Sequence, residues 1–386
     1  MKQAKAEKMV DQIFEHGVRI GNIDEDTAKK YGGCVKNFMN NFIPELIEQT
    51  GNDKLFNPNF WKGSHVDQWF DQLIDRAKSG VMTNGYVVGS AHAFGKLQEL
   101  VNHEGAHRKI EKVRVGLKGS IESGQGRLHQ LHKEGISSGN DQPTSMKPKG
   151  DELEKIIDKI PDSPNKTTIV NVLRAQYHTG GRITAEVGLK VGDIDFDRST
   201  KFYDKDKQEF SRRTFISEQQ KDFYKSLTAG KPAGSPVFVI RDQSGKQMDK
   251  ESAVKHVQNV VREASQKAGL TICNNGKVVS RYTTHSSRRG YAQSFYDRTR
   301  HWSTEKLKKE TAKYLNAQGS NKEKIIERIQ NEKERLNWYR LKNGLPMKDF
   351  SWEQRRRLLV ALHLGHSRID HIKRYIEPDP PLSQMK

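Results

Sequence analysis

The chain reads as a mainly helical α+β protein: an N-terminal helical bundle, a linker, and a second, mixed domain built around a small antiparallel sheet. Three observations predict this. Up to Leu117 the apolar residues recur three and four apart, the spacing of helices that bury one face. A stretch poor in apolar residues and rich in Gly, Ser and Pro then intervenes. Beyond it, helical stripes alternate with short β-branched and aromatic runs bounded by turn residues. The 386 residues are enough for two cores and too many for one. We place the domains at 1–118 and 151–386, with 119–150 as the linker.

Val35, Phe38, Met39, Phe42, Ile43, Leu46 and Ile47 form the first stripe, with Asp24-Glu25-Asp26 near its N-terminus and Pro44 inside it, where the helix must kink or split. Val66, Trp69, Phe70, Leu73, Ile74 and Ala77 form a second, which stops at Ser79-Gly80. Thr83 can cap a third helix carrying Val87, Val88, Ala91, Phe94, Leu97 and Val101. A basic fourth follows with Ile110, Val113 and Leu117. In the second domain, Ile169, Val172, Leu173 and Gln176 predict a helix ending at Gly180-Gly181. Val191–Phe196, Lys201–Tyr203, Arg213–Ile216 and Val237–Ile240 are read as strands or strand edges. A helix is expected from about Lys250 to Ala268. Thr304 to Lys342 is a charged helical stretch that also carries Leu307, Ile325, Ile326, Ile329, Leu336 and Trp338.

Charge narrows the function. The net charge is +19, and residues 151–386 hold 46 Lys and Arg against 30 Asp and Glu, so the second domain is the expected footprint for a polyanion. Cys34 and Cys273 are too few for a disulfide framework or a Cys-based zinc site, which fits a reducing compartment. The sequence has no apolar run of the roughly 18 residues a membrane span needs and no signal-peptide core, so a soluble protein with no membrane partner is expected. His103 and His107, His129 and His132, and His363, His366 and His371 have spacings that can hold a metal on a helix. No carboxylate or cysteine completes a pattern around them, and neither metal nor cofactor is expected.

Three fragments carry chemistry: Thr179-Gly-Gly-Arg182-Ile-Thr, Thr284-His285-Ser-Ser-Arg288, and Leu364-Gly-His366 with Tyr375 nine positions later. Each alone is weak, since Thr-Gly-Gly-Arg can be a capping turn, His-x-x-Arg a solvated helix face, and Tyr375 a half-buried anchor. In chain order, however, they resemble the catalytic signature of the tyrosine recombinase (phage integrase) family. Tyr177 to Asp195 resembles its first-arginine box along the whole length, and the likeness runs over roughly residues 150–378. For the N-terminal bundle it is architectural only, to a helical core-binding domain that clamps DNA.

The resemblance implies a site-specific recombinase or integrase that breaks and rejoins DNA through a 3′-phosphotyrosyl intermediate, integrating or excising a mobile element. Tyr375 would be the nucleophile. Arg182 and Arg288 would clamp the phosphate, a task for which a permanently charged planar fork is suited. His285 would help the phenol lose its proton, and His366 would hydrogen-bond a phosphate oxygen. A hairpin lysine would protonate the leaving 5′ oxygen: among Lys201, Lys205 and Lys207, counting back from Arg213-Thr-Phe-Ile favours Lys207. The implied partners are double-stranded DNA recombination sites, other copies in a homotetramer, and an accessory directionality factor, in the cytoplasm and on the nucleoid when bound. A type IB topoisomerase, a telomere resolvase or a non-cleaving DNA-binding protein of the same fold are the alternatives.

The sequence departs from the family pattern at two places. The acidic residue usual three positions after the first arginine is Ala185 here, with Glu186 one step later, so either Glu186 swings in or support comes from elsewhere. The 78 positions between Arg288 and His366 hold the helical insertion at about 304–342, expected to serve protomer contacts, DNA grip or packing on its own domain. Only 11 residues follow Tyr375, and their prolines make a poor helical link to a neighbouring copy.

Overall fold

A computed structural model describes residues 2–102, 127–136, 144–148, 150–207, 210–274, 277–366 and 368–377. The chain divides into two compact units, 1–142 and 143–386. No helix among the described residues is long and apolar enough to cross a membrane.

The first unit is helical. Helix α1 (Lys2–Arg19) was not anticipated; its stripe of Ala6, Val10, Ile13 and Phe14 is short but fully buried. Helix α2 (Glu25–Asn37) is capped by Asp24, which accepts the Thr27 amide at 2.8 Å. The kink expected at Pro44 takes a definite form: a π-helical turn over Phe38–Phe42 precedes α3 (Ile43–Thr50), with Pro44 in its first turn. Proline lacks the amide an unbroken helix needs there, and starting a new helix removes the conflict. The wider turn sets Phe38 among Trp61, Trp69 and Phe94, with ring centroids 5.0 to 5.3 Å apart. Helices α4 (Gly63–Lys78) and α5 (Asn84–Asn102) follow their predicted stripes, and the Thr83 hydroxyl accepts the Tyr86 amide. The expected helix with Ile110, Val113 and Leu117 lies outside the described residues. Within the expected linker, Arg127–Lys133 forms α6, and Leu131 and Ile136 bury in the first core. Two apolar side chains in a polar stretch were enough to anchor it.

Among its described residues the second unit holds two three-stranded sheets, β2-β3-β4 and β1-β6-β5. Thr144–Ser145, also from the expected linker, forms β1 and runs parallel to β6. Helices α7 (Glu152–Lys159), α8 (Lys166–Thr179) and α9 (Ile183–Val187) lead into β2 (Ile194–Asp195), β3 (Thr200–Lys207) and β4 (Phe210–Phe215), an antiparallel set. Helix α10 (Glu218–Thr228) comes next. Val237–Ile240, expected as a strand, is irregular: Val237, Phe238 and Ile240 are buried, and the Val237 amide bonds to Leu189 O outside any ladder. A short apolar run signals burial more securely than it signals strand. Helix α11 (Lys250–Lys267) precedes the unanticipated hairpin β5 (Thr271–Asn274) and β6 (Lys277–Arg281), for which Asn275-Gly276 was the available sequence signal. Helix α12 (Thr284–Arg298) packs closely on α8; a Cβ on Gly290 would stand 2.4 Å from the Tyr177 ring.

The stretch from Thr304 to Lys342 forms α13 (Thr304–Asn316), α14 (Lys322–Leu336) and α15 (Trp338–Lys342). Leu307, Tyr314 and Ile325 from it are buried in this unit's core, which α16 (Trp352–His363) completes. A 3-10 turn, Ile369–Arg374, then delivers Tyr375.

Candidate active site

The two glycines before Arg182 are required by geometry. Gly180 ends α8 with φ +67°, a left-handed conformation open to glycine, and its carbonyl accepts from Arg288 Nη1. A Cβ on Gly181 would stand 2.1 Å from Glu186 Oε1 and 2.4 Å from the Tyr203 hydroxyl. The turn they allow places Arg182 at the N-cap of α9, partly exposed.

His285 and Arg288 lie one turn apart on α12, whose start is fixed by a capping box between Thr283 and Ser286. Arg288 is fully buried. Its Nη1 donates to Gly180 O and its Nη2 to Leu364 O, so one guanidinium joins the first-arginine turn to the turn carrying His366. Its Nε is buried without a partner among the described residues. Burial, then the charge of Arg182, pulls its pKa down to about 10, which leaves it cationic at neutral pH. His285 is neutral there: burial, then Arg288, Arg289 and Arg182, push it down to about 3.

Tyr375 is 8% exposed and boxed by these groups. The His285 and His366 rings each meet its ring edge-on at 5.1 Å, and Arg288 and Arg289 lie 5.8 and 6.0 Å from its centroid. Its hydroxyl is 3.0 Å from His366 Nε2. Sequence reasoning assigned the phenol proton to His285, but the hydrogen bond runs to His366. The backbone beside Tyr375 is held at both following residues: Lys147 Nζ donates to Ile376 O at 2.9 Å, and the Glu377 amide donates to Gln293 Oε1 at 2.6 Å. Of the clustered histidines, His363 is apart from this group; it is buried and accepts or donates at Nδ1 to the Tyr291 hydroxyl at 3.0 Å.

The lysine candidates separate. Lys201 is buried, 2.8 Å from Glu186 and hydrogen-bonded to Thr179 and Tyr224, so it faces the core and cannot serve a phosphate. Burial lowers its pKa to about 8 against the raising effect of Glu186. Lys207 ends β3 opposite Phe210, beyond a bulge that begins at Tyr203. The side chains of Lys205 and Lys207 lie outside the described residues.

Glu186 does not swing to Arg182. It is committed to Lys201, Thr179 and Tyr203. The acid at Arg182 is instead Asp206, which sequence reasoning missed: its Oδ2 lies 2.7 Å from Arg182 Nη1 and 2.8 Å from Arg212 Nε. Burial would raise its pKa, but Arg212, Arg182 and Arg288 outweigh that and hold it well below the usual carboxylate range. Its only sequence signal was an acid flanked by lysines at a strand end. Arg212, fully buried, donates onward to His363 O at 2.6 Å.

The sequence model of the phage integrase family matches residues 149–326. Over those residues the chain is similar to the phage integrase family. The match takes in Arg182, Lys207, His285 and Arg288; His366 and Tyr375 join them through the geometry above. The structure is similar to the Tn1549 transposon integrase in complex with a circular intermediate DNA, with 12% identity, 96% of this chain and 95% of that chain covered, and a TM-score of 0.50. It is also similar to XerH recombinase bound to difH (14% identity, 91% and 76% covered, TM-score 0.48) and to a lambda integrase tetramer on a Holliday junction (12%, 77% and 74%, 0.44). No curated protein matches the chain. The mainly helical architecture with small sheets is that of the tyrosine recombinases.

Proposed function

We propose that this integrase-family chain is a site-specific DNA recombinase that cuts and rejoins duplex DNA through Tyr375. The observation that carries the reading is the convergence of Arg288, His285 and His366 on one tyrosine, with Arg182 tied into the same cluster through Asp206. The phenol oxygen bonds to the scissile phosphorus and its proton passes to a histidine. The bond from phosphorus to the 5′ oxygen breaks, and Lys207 supplies the proton that oxygen takes up. Arg182 and Arg288 offset the charge that grows on the non-bridging oxygens. The 3′-phosphotyrosyl ester keeps the energy of the broken bond, so a 5′ hydroxyl from another strand reverses the step without ATP.

Exchange of both strands between two duplexes needs four phosphotyrosyl bonds, one per copy, hence a homotetramer on DNA. Integration or excision of a mobile element is the biological role that suits a phage integrase domain, with an accessory factor to set direction. The test is a nicked suicide duplex that loses the 5′ product: the wild-type chain is expected to form a covalent adduct mapping to Tyr375, and Tyr375→Phe to bind equally and form none. An adduct that survives Tyr375→Phe overturns the assignment. Relaxation of a single supercoiled circle without two-site exchange would favour a topoisomerase instead.

A further inference from the structure

We propose that Asp206 is the positioning residue of the phosphate clamp, locking Arg182 to the hairpin that carries Lys207 and to the Gly365-His366 turn. The inference rests on the reading of Arg182 as a phosphate ligand.

Arg182 needs an anionic partner, because a lone guanidinium at a half-open site samples many rotamers and a clamp must hold one. The position three residues on is Ala185, and Glu186 is spent on Lys201. Asp206 fills the need from a different element. Its Oδ2 lies 2.7 Å from Arg182 Nη1, and the same nitrogen donates to the Asp206 backbone oxygen at 3.3 Å. The arginine is therefore fixed to the strand itself one residue before Lys207.

The same carboxylate reaches the third motif. Its second partner, Arg212, donates to His363 O, at the end of α16, and stacks on Tyr203 at 4.7 Å. Gly365 follows with φ +66°, and a Cβ there would stand 2.7 Å from Arg212 Nε and 3.0 Å from Asp206 Oδ2. The glycine of the Gly-His pair is thus demanded by its backbone conformation and by the closeness of the Asp206–Arg212 pair. The other oxygen of Asp206 is buried without a partner among the described residues, an arrangement that stability alone does not favour. A carboxylate that only neutralised Arg212 would have no reason to sit on Arg182 as well.

The experiment is a double-mutant cycle read by single-turnover adduct formation at saturating DNA on the suicide duplex. Wild-type adduct at Tyr375 is the control; its absence would defeat the recombinase reading and not this one in particular. Asp206→Asn is expected to bind DNA as wild type does and to cleave on the order of 10- to 100-fold more slowly. Combined with Arg182→Ala it should cleave no more slowly than Arg182→Ala alone, because the aspartate acts through the arginine. If Asp206→Asn fails to fold with Arg212 left unpaired, Asp206→Asn with Arg212→Gln removes both buried charges and is expected to fold and keep the same cleavage defect. Wild-type cleavage by a folded Asp206 variant, or a double variant that loses the product of the two single losses, overturns the proposal.

Discussion

Nε2 of His366 lies 3.0 Å from the Tyr375 hydroxyl and 3.3 Å from Nη2 of Arg288. A guanidinium nitrogen can only donate, so the histidine nitrogen it faces is the unprotonated one. The phenol must then donate to that nitrogen. On the proposed mechanism the proton of Tyr375 would leave toward His366, with Arg288 beside the pair. His285, neutral and edge-on to the ring, supports the tyrosine from the other contact without a bond to its oxygen.

His366→Ala is therefore expected to slow adduct formation by about 10²- to 10⁴-fold, the range for loss of a general base. His285→Ala should slow it less. Single-turnover cleavage of the two variants side by side checks this, and a larger loss at His285 would return the proton to that residue.

The lysines divide by environment. Lys207→Ala should slow cleavage of an ordinary phosphodiester and be largely restored by a 5′-bridging phosphorothiolate, whose sulfur leaves without a proton. Lys201→Ala should act on folding instead. It strands Glu186 without its cation in a fully buried site, a loss of about 3 to 5 kcal/mol by analogy with broken buried pairs. Thermal melting separates the two, and phosphorothiolate rescue of Lys201→Ala or Lys205→Ala in place of Lys207→Ala would move the general acid.

Acid should weaken the fold through its buried histidines. His363, pushed down to about 3 first by burial and then by Arg212, and His285, also about 3, stay neutral in the folded chain while an unfolded histidine protonates near 6.5. Between those values the unfolded state binds more protons. Stability then falls as pH falls from about 6.5 toward 3, by up to about 1.4 kcal/mol per pH unit for each histidine. Urea unfolding at pH 7 and pH 5 is the measurement. His363→Gln, which cannot titrate, should flatten the slope by about one histidine's share, and an unchanged slope would show that His363 is protonated in the fold.

Much of this site was legible because its parts are local. Arg182 follows a Gly-Gly turn that only one backbone shape permits, and His285 and Arg288 share one helix face, so short motifs carry their geometry. Asp206 and Arg212 were not legible. Their roles arise from a strand pairing and from the approach of Gly365, more than 150 positions away from either, which no local pattern encodes. The same holds for the fold. The stripes on α4 and α5 declared themselves, whereas β1 exists only because Thr144 and Ser145 find β6 across the sequence. Val237–Ile240 had the composition of a strand, but its backbone pairing is limited to single contacts with Leu189 and Met248 and isolated bridges on either side.

Of the roles open to the insertion, packing on its own domain is the one these contacts support, and that packing reaches the turn before Tyr375. Glu332 on α14 is buried; its Oε1 accepts the Ile369 amide at 2.8 Å, and Arg335, paired with Glu332, reaches Asp370 at 2.7 Å. Both contacts grip the start of the 3-10 turn that ends in Tyr375. Between α13 and α14, Gln318 pairs with the backbone N–H and C=O of Arg213, closing the free edge of β4. Replacing residues 304–342 with a Gly-Ser bridge should consequently abolish folding, since Leu307, Tyr314 and Ile325 leave the core with it. The discriminating change is smaller. Glu332→Gln keeps an acceptor for the Ile369 amide but loses the charge that holds Arg335, and should cleave near the wild-type rate. Glu332→Ala removes the acceptor, leaves a buried amide unmet at a cost of about 1 to 3 kcal/mol, and should slow adduct formation with DNA binding intact. Hydrogen exchange at the Ile369 amide reads the mechanism directly: it should quicken in Glu332→Ala and not in Glu332→Gln. Equal cleavage by the two variants would reduce the insertion to packing alone.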